Sequence, residues 1–268
     1  MHSIFQKKAV NLERIKNRIN MKVLVCISHV PDTTSKINFT DGNAEFDTAG
    51  VQYVINPHDE YNLARAMWFK EKQGASITVV NVGEAASDPT LRKCLAIGAD
   101  DAIRVNTPAV DSFYVAKQLA EVAKNGNYDL ILAGRESIDY NGQMVPGMIA
   151  GILDYNFVNA CVGLEIDGNN ATVSREIDGG KEILSSTLPM VIAGQKGIVE
   201  EKDLRIPNMR GIMMARKKPL SVVEAVAFDA TTSPASFEKP AAKSACKMVD
   251  ADNVDELVSL LHNEAKVI

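Results

Sequence analysis

The sequence predicts an α/β chain built on a doubly wound, mainly parallel sheet, with a C-terminal hairpin and an extended arm. Three observations predict it. Short apolar runs rich in β-branched residues recur at 22–28, 76–82, 102–105 and 130–133, each bounded by turn residues, as buried parallel strands are. Segments of helical period lie between them at the spacing of βαβ units. Beyond residue 155 the helical segments give way to strand alternation around an Asp-Gly-Gly turn, the pattern of an antiparallel hairpin.

Taken in order, the run from Lys22 to Ser28 is the first buried strand, followed by a loop at Pro31-Asp32-Thr33. Two short strand-like runs within 36–47 flank Thr40-Asp41-Gly42-Asn43 and predict a hairpin. Asn56 then stands as N-cap to a helix opened by Pro57, a position where no amide donor is needed; Leu63, Ala66, Met67 and Lys70 lie on it. The second strand ends at Val82-Gly83, and a helix from about Asp88 is stopped by Gly98. A third strand, a helix from Ser112 to Lys124, a fourth strand ending at Gly134 and a helix reaching Leu153 complete the alternation. From Asn156 the hairpin carries Val173, Ile177, Ile183 and Leu188, with positive backbone φ expected at its Asp-Gly-Gly turn, and Met190 to Ala193 form one more buried strand. The stretch 197–218 reads as irregular, 230–243 is too polar and broken to pack alone, and 252–265 reads as an amphipathic helix with Val254, Leu257, Val258 and Leu261 on one face. The division expected is a leader or extension over 1–20, an α/β nucleotide-binding domain over 21–220, and an arm over 221–268.

Composition excludes several classes. A net charge of −5 opposes nucleic-acid binding. No apolar run approaches the ~18 residues that a spanning helix needs, so membrane insertion is not expected. Cys26, Cys94, Cys161 and Cys246 are scattered and form neither a zinc pattern nor a disulfide framework. His29, His58 and His262 share no ligand spacing, and no metal or catalytic constellation is visible. Residues 1–20 carry a charge of +4 against −9 for the remainder, which leaves two readings: an extension ahead of a true start at Met21, or an organelle-targeting leader short of serine.

Three segments carry candidate chemistry. Gly134 to Gly147 links a strand end to a helix start, where free amides and the positive end of the helix dipole suit a phosphate. It matches neither nucleotide fingerprint and has no lysine for a γ-phosphate, so it points to binding rather than hydrolysis; a plain connecting loop is the alternative. Arg175-Glu176-Ile177-Asp178-Gly179-Gly180 places charges beside a tight turn, which suits a contact surface or a solvated hairpin tip. Arg205-Ile206-Pro207-Asn208 sets an apolar residue beside a rigid proline within a polar rim, the make-up of an interface anchor or of an ordinary surface loop.

The run from Arg175 to Glu182 followed by Leu188-Pro189-Met190-Val191-Ile192-Ala193 closely resembles the signature of the electron-transfer flavoprotein beta subunit, and the resemblance spans nearly all of 21–268. It implies an adenine nucleotide alpha hydrolase-like sheet. It also implies a heterodimer in which the alpha subunit holds the redox FAD, while this chain binds AMP, or a second FAD in bifurcating members. The nucleotide-binding positions so implied are Cys26, Asn56, Pro57, His58, Asp59, Val82, Gly134, Asp139, Asn141, Gly142, Gln143, Met144 and Val145. His58, Asp59, Tyr140 and Asn141 depart from the animal-type residues, and Asp139-Tyr140-Asn141 lacks the Asp-Gly-Asp-Thr run of many bifurcating members. Arg205, Ile206, Pro207 and Asn208 would dock acyl-CoA dehydrogenases, and Arg175 and Glu176 would face the mobile flavin domain. The implied role is an electron carrier, not an enzyme, passing electrons from fatty acid beta-oxidation to a quinone oxidoreductase, in the bacterial cytoplasm or, with a transit leader, the mitochondrial matrix. A stand-alone adenine-nucleotide-binding protein of the same fold is the rival from another class.

Overall fold

The structure is a computed structural model that describes residues 21–268 apart from Ser244; the expected leader lies outside the described residues. Among these, nine strands form one sheet. In chain order they are β1 (Lys22–Cys26), β6 (Ser76–Gly83), β7 (Asp101–Asn106), β8 (Leu130–Gly134), β9 (Asn156–Asp167), β10 (Asn170–Ile177), β11 (Gly180–Thr187), β12 (Met190–Gly194) and β13 (Leu220–Glu224). Two small antiparallel pairs stand apart: β2 (His29–Pro31) with β5 (Tyr53–Ile55), and β3 (Phe39–Thr40) with β4 (Glu45–Phe46). The long helices are α1 (Pro57–Gln73), α2 (Asp88–Ile97), α3 (Ser112–Gly126) and α4 (Val145–Leu153), with shorter ones at α5 (Met209–Ala215) and α6 (Val254–Ser259).

The strand order is β11-β10-β9-β12-β8-β1-β6-β7-β13. Pairing is parallel from β9 through β13 and antiparallel only within β9-β10-β11. From β1 the chain winds outward through β6 and β7, then returns to lay β8 on the other side of β1. That reversal opens a crevice at the carboxyl ends of β1 and β8.

Alternation along each strand sorts side chains into two cores. Val23, Val25, Ile77, Val79, Leu130 and Leu132 pack with α1 and α2, whereas Leu24, Cys26, Val80, Val82, Ile131 and Ala133 pack with α3 and α4. Both faces of the sheet are therefore covered, which is why these strands read as continuous apolar runs.

Four details depart from the sequence reading. Asn56 occupies the N-cap position of α1, but its side chain does not cap the helix. The irregular stretch after residue 197 contains α5, packed so closely on α2 that a Cβ on Gly211 would overlap the carbonyl of Ala96. Leu220–Glu224 is an edge strand beside β7, where the sequence suggested the start of an arm. At the hairpin tip only Gly179 takes a positive φ, 83°, so one glycine, not the whole triplet, carries the special conformation.

Two compact units are resolved among the described residues: 21–37 with 48–234, and 38–47 with 235–268. In the second, Phe39 stacks on Phe237 with centroids 5.2 Å apart, and Phe237 N donates to Asn43 O at 2.8 Å. Its α6 is capped by Asn253, whose Oδ1 accepts from Glu256 N, and continues into a π-type turn over Leu260–Ala265. Val254, Leu257 and Val258 remain exposed there.

Candidate functional site

A cavity of about 1100 Å³ lies at the carboxyl ends of β1, β6 and β8. Cys26, Asp59, Val82, Gly134, Asp139, Gly142, Met144 and Val145 all line it. Asn56, Pro57, His58, Asn141 and Gln143 stand behind or beside the wall and are not part of the lining.

The first turns of α1 build one side. Asn56, Asp59 and Asn62 are spaced by three and are all buried, so beside its apolar face this helix carries a buried polar stripe at its N-terminal end. Glycine makes room for it. A Cβ on Gly134 would overlap Asp59 Oδ1 and lie 2.9 Å from Asn56 Nδ2, and one on Gly194, its partner on the adjacent β12, would overlap Asn62 Oδ1.

Asp59 straddles the crevice. Its Oδ2 accepts from Ser28 N at 2.7 Å and its Oδ1 from Gly134 N at 2.8 Å, which joins the ends of β1 and β8. Asn56 completes the brace, with Nδ2 donating to Glu136 O at 2.8 Å and Oδ1 accepting from Ile138 N. This tertiary duty is the reason Asn56 does not cap.

Burial pushes the Asp59 carboxyl up to about 7 even though the two amides favour the anion. Unfolded, such a carboxyl titrates near ~3.9, so between these values the folded state holds a proton that the unfolded chain has lost. This group's contribution to stability therefore falls as pH rises from about 4 to about 7. Asp59→Asn should remove that slope, at a constant cost from placing an amide N–H₂ against a backbone donor. Urea midpoints at pH 5 and pH 8 check it: the wild type should lose more stability between them than the variant does.

The loop after β8 is shaped by its own side chains. Ser137 Oγ donates to Asp139 Oδ1, Tyr140 N donates to the same oxygen at 2.9 Å, and Ser137 bridges to Gly142. Asp139 thus organises the turn. Gln143 is held within the loop, its Nε2 donating to Glu136 Oε2 at 2.9 Å. His58 lies 3.5 Å from the other oxygen of Glu136. Beyond the loop, α4 begins with no side-chain cap and with proline in its first turn, so its leading amides are available to an anion.

Other groups at the cavity escaped the sequence reading. Asp111 caps α3 by accepting from Tyr114 N at 2.6 Å, and also accepts from Thr231 N and Thr232 N at 2.5 and 2.8 Å. These bonds, that of Tyr114 foremost, hold its carboxyl far below the ordinary value. Asp before a helix is a cap signal that could have been read; Thr231 and Thr232 lie in a low-complexity stretch that gave none. His29 stacks on Tyr53 at 4.3 Å on the cavity wall, its pKa lowered by burial.

The electrostatics of the lining are one-sided. Asp59, Glu84, Asp111, Glu136 and Asp139 line the cavity, and among the described residues no lysine or arginine does. Any phosphate must be met by amides and hydroxyls, an arrangement that tolerates one phosphate better than three.

The segments expected to meet partners lie elsewhere on the first unit. Arg175 is engaged within its hairpin, Nε donating to Glu182 Oε2 at 2.6 Å. Arg205 pairs with Glu71 at 2.8 Å, and Asn208 Oδ1 accepts from Gly211 N at 2.8 Å to cap α5. Between them Ile206 is 90% exposed. No helix among the described residues is long and apolar enough to cross a membrane.

A family model described as the electron transfer flavoprotein domain matches residues 44–228. The chain is 38% identical over 254 residues to the electron transfer flavoprotein subunit beta of Syntrophomonas wolfei, covering 93% of this chain and 99% of that one. It is 35% identical over 262 residues to the subunit of the same name from Bacillus subtilis, covering 92% and 100%. With that of Bos taurus it shares 32% over 257 residues, covering 92% and 99%.

Proposed function

Since this chain belongs to the electron transfer flavoprotein family as a beta subunit, we propose that it pairs with an alpha subunit, binds AMP, and carries electrons from acyl-CoA dehydrogenases to a quinone oxidoreductase. The observation that carries the AMP reading is the cavity where the ends of β1, β6 and β8 meet the uncapped start of α4. Adenine fits against the strand ends at Cys26 and Val82, and the phosphate against the amides that open α4. The acidic lining favours a monophosphate and gives a γ-phosphate no cation. The redox FAD, which supplies the one- and two-electron chemistry when bound, would be held mainly by the alpha subunit.

Coexpression with an alpha subunit, followed by heat release of the nucleotide and mass measurement, tests this. A yellow one-to-one complex that yields FAD and AMP in equal amounts is expected. Two FAD per heterodimer would replace AMP with the second flavin of a bifurcating subunit, and a colourless monomer would favour a stand-alone nucleotide-binding protein.

The arm is proposed to lie on the alpha subunit, because Met248 is 85% exposed and Val254 61% exposed on a segment with little packing of its own. Deleting 235–268, while keeping Thr231 and Thr232 on Asp111, should weaken assembly roughly tenfold or more. Sedimentation titration of the truncated chain against the alpha subunit measures this, and unchanged affinity would remove the arm from the interface.

A further inference from the structure

The β10–β11 hairpin carries an acid that is held from outside the hairpin. Glu176 Oε2 accepts from Gln195 Nε2 at 2.5 Å, and Gln195 Oε1 accepts from Arg135 Nη1 at 2.8 Å. Gln195 sits just past β12, is 94% buried, and is fixed through its main chain by donation to Cys161 O at 3.1 Å. Arg135 is anchored the same way, its N donating to Gly194 O at 2.8 Å.

The chemistry of this relay has one orientation. A guanidinium only donates, so Arg135 claims the amide oxygen of Gln195 and turns the N–H₂ toward the carboxylate. Without Arg135 the amide could rotate and set oxygen against oxygen. The backbone is adapted as well. The register of β9 against β10 shifts between Ser174 and Arg175, and Ala160 on β9 takes a φ of 51°, a bulge of the kind that re-aims a side chain. Glu176 itself is exposed, so its carboxylate keeps acceptor capacity for a donor or cation beyond this chain.

We propose that Gln195, oriented by Arg135, is a positioning residue that holds the Glu176 carboxylate ready for the flavin-carrying domain of the alpha subunit. This rests on the reading that the hairpin faces that domain. Gln195 is buried and acts through Glu176; it removes the rotamer search that a free glutamate would make before each docking event. Arg135 follows Gly134 directly, so the brace grows from the segment that walls the cavity.

The test uses the intact heterodimer, with the docked fraction of the flavin domain read by pulsed dipolar spectroscopy between spin labels, one on each subunit. Gln195→Leu, Glu176→Ala and the double variant are compared at unchanged flavin content. Gln195→Glu is the second probe should the leucine variant fold poorly, since it keeps Arg135 paired and repels Glu176. Each single variant should shift the docked fraction severalfold in the same direction, with the double variant shifting it no further than Glu176→Ala. Wild-type docking in both Gln195 variants beside a clear Glu176→Ala effect overturns this inference alone, as does strict additivity. No effect of Glu176→Ala overturns both this inference and the reading of the hairpin.

Discussion

Alanine at position 134 should empty the nucleotide cavity and weaken the fold by roughly 3 kcal/mol or more, combining overpacking with lost charge-assisted hydrogen bonds. The added Cβ would overlap Asp59 Oδ1 and crowd Asn56 Nδ2 and His58 Cβ at 2.9 and 3.0 Å. None of these is the free end of a flexible chain: Asp59 is tied to Ser28 N and Gly134 N, and Asn56 to Glu136 O. Moving them unfastens the ends of β1 and β8, the two strands that flank the crevice. Gly142→Ala is the control, because a Cβ there meets only Ser112 Oγ at 3.8 Å and its φ is not positive. The measurements are nucleotide content of the purified heterodimer and the urea midpoint. A Gly134→Ala complex with full nucleotide and an unmoved midpoint would refute the placement of the ligand at these strand ends.

Continuous apolar runs made the central sheet legible, because a parallel strand covered on both faces packs both sets of its side chains, as Val23 through Cys26, Leu130 through Ala133 and, within β6, Ile77, Val79, Val80 and Val82 do. β13 was not legible: Leu220–Glu224 is a short run that pairs on one side only and is mostly exposed, and it directly follows Pro219 at the start of a polar, broken stretch. The seven residues of α5 are too few to show a period and include Gly211, which serves a close approach to α2 that no local pattern announces. At the site, the strand ends at Val82-Gly83 and Gly134 were legible, but the brace across the crevice stayed hidden. Asn before Pro at a helix start reads as a cap whichever partner its side chain finally takes, and only the fold places Glu136 and Ile138 beside Asn56. The bond from the Gln143 amide to Glu136, seven residues away, was hidden for the same reason.

Ile206→Ala should slow electron transfer from a partner dehydrogenase roughly tenfold or more at sub-saturating protein, because truncating an anchor of this kind costs ~2 kcal/mol of binding and ~1.4 kcal/mol is tenfold. The proposal that this loop docks partners draws its physical support from how the residue is presented. An isoleucine 90% exposed brings nothing to its own core, yet the chain on either side is fixed: Leu204 packs on the core, Arg205 is paired with Glu71, and Asn208 caps α5. Held between those points and followed by Pro207, Ile206 loses little conformational freedom when it is buried, and that saving favours binding. Met209 and Met213 on α5 are 74% and 67% exposed and extend the apolar surface with side chains that adapt to different pockets. Flavin content and direct chemical reduction of the heterodimer should be unchanged, since the flavin is proposed to sit on the alpha subunit and Arg205–Asn208 do not line the nucleotide cavity. Stopped-flow transfer from several acyl-CoA dehydrogenases measures the effect, which should appear in the concentration dependence and fade at saturation. Glu71→Ala, which frees Arg205 while leaving Ile206 in place, should give a smaller loss of the same kind, because it loosens the anchor without removing it. Wild-type rates for Ile206→Ala with every dehydrogenase tried would reduce the segment to a surface connection between β12 and α5.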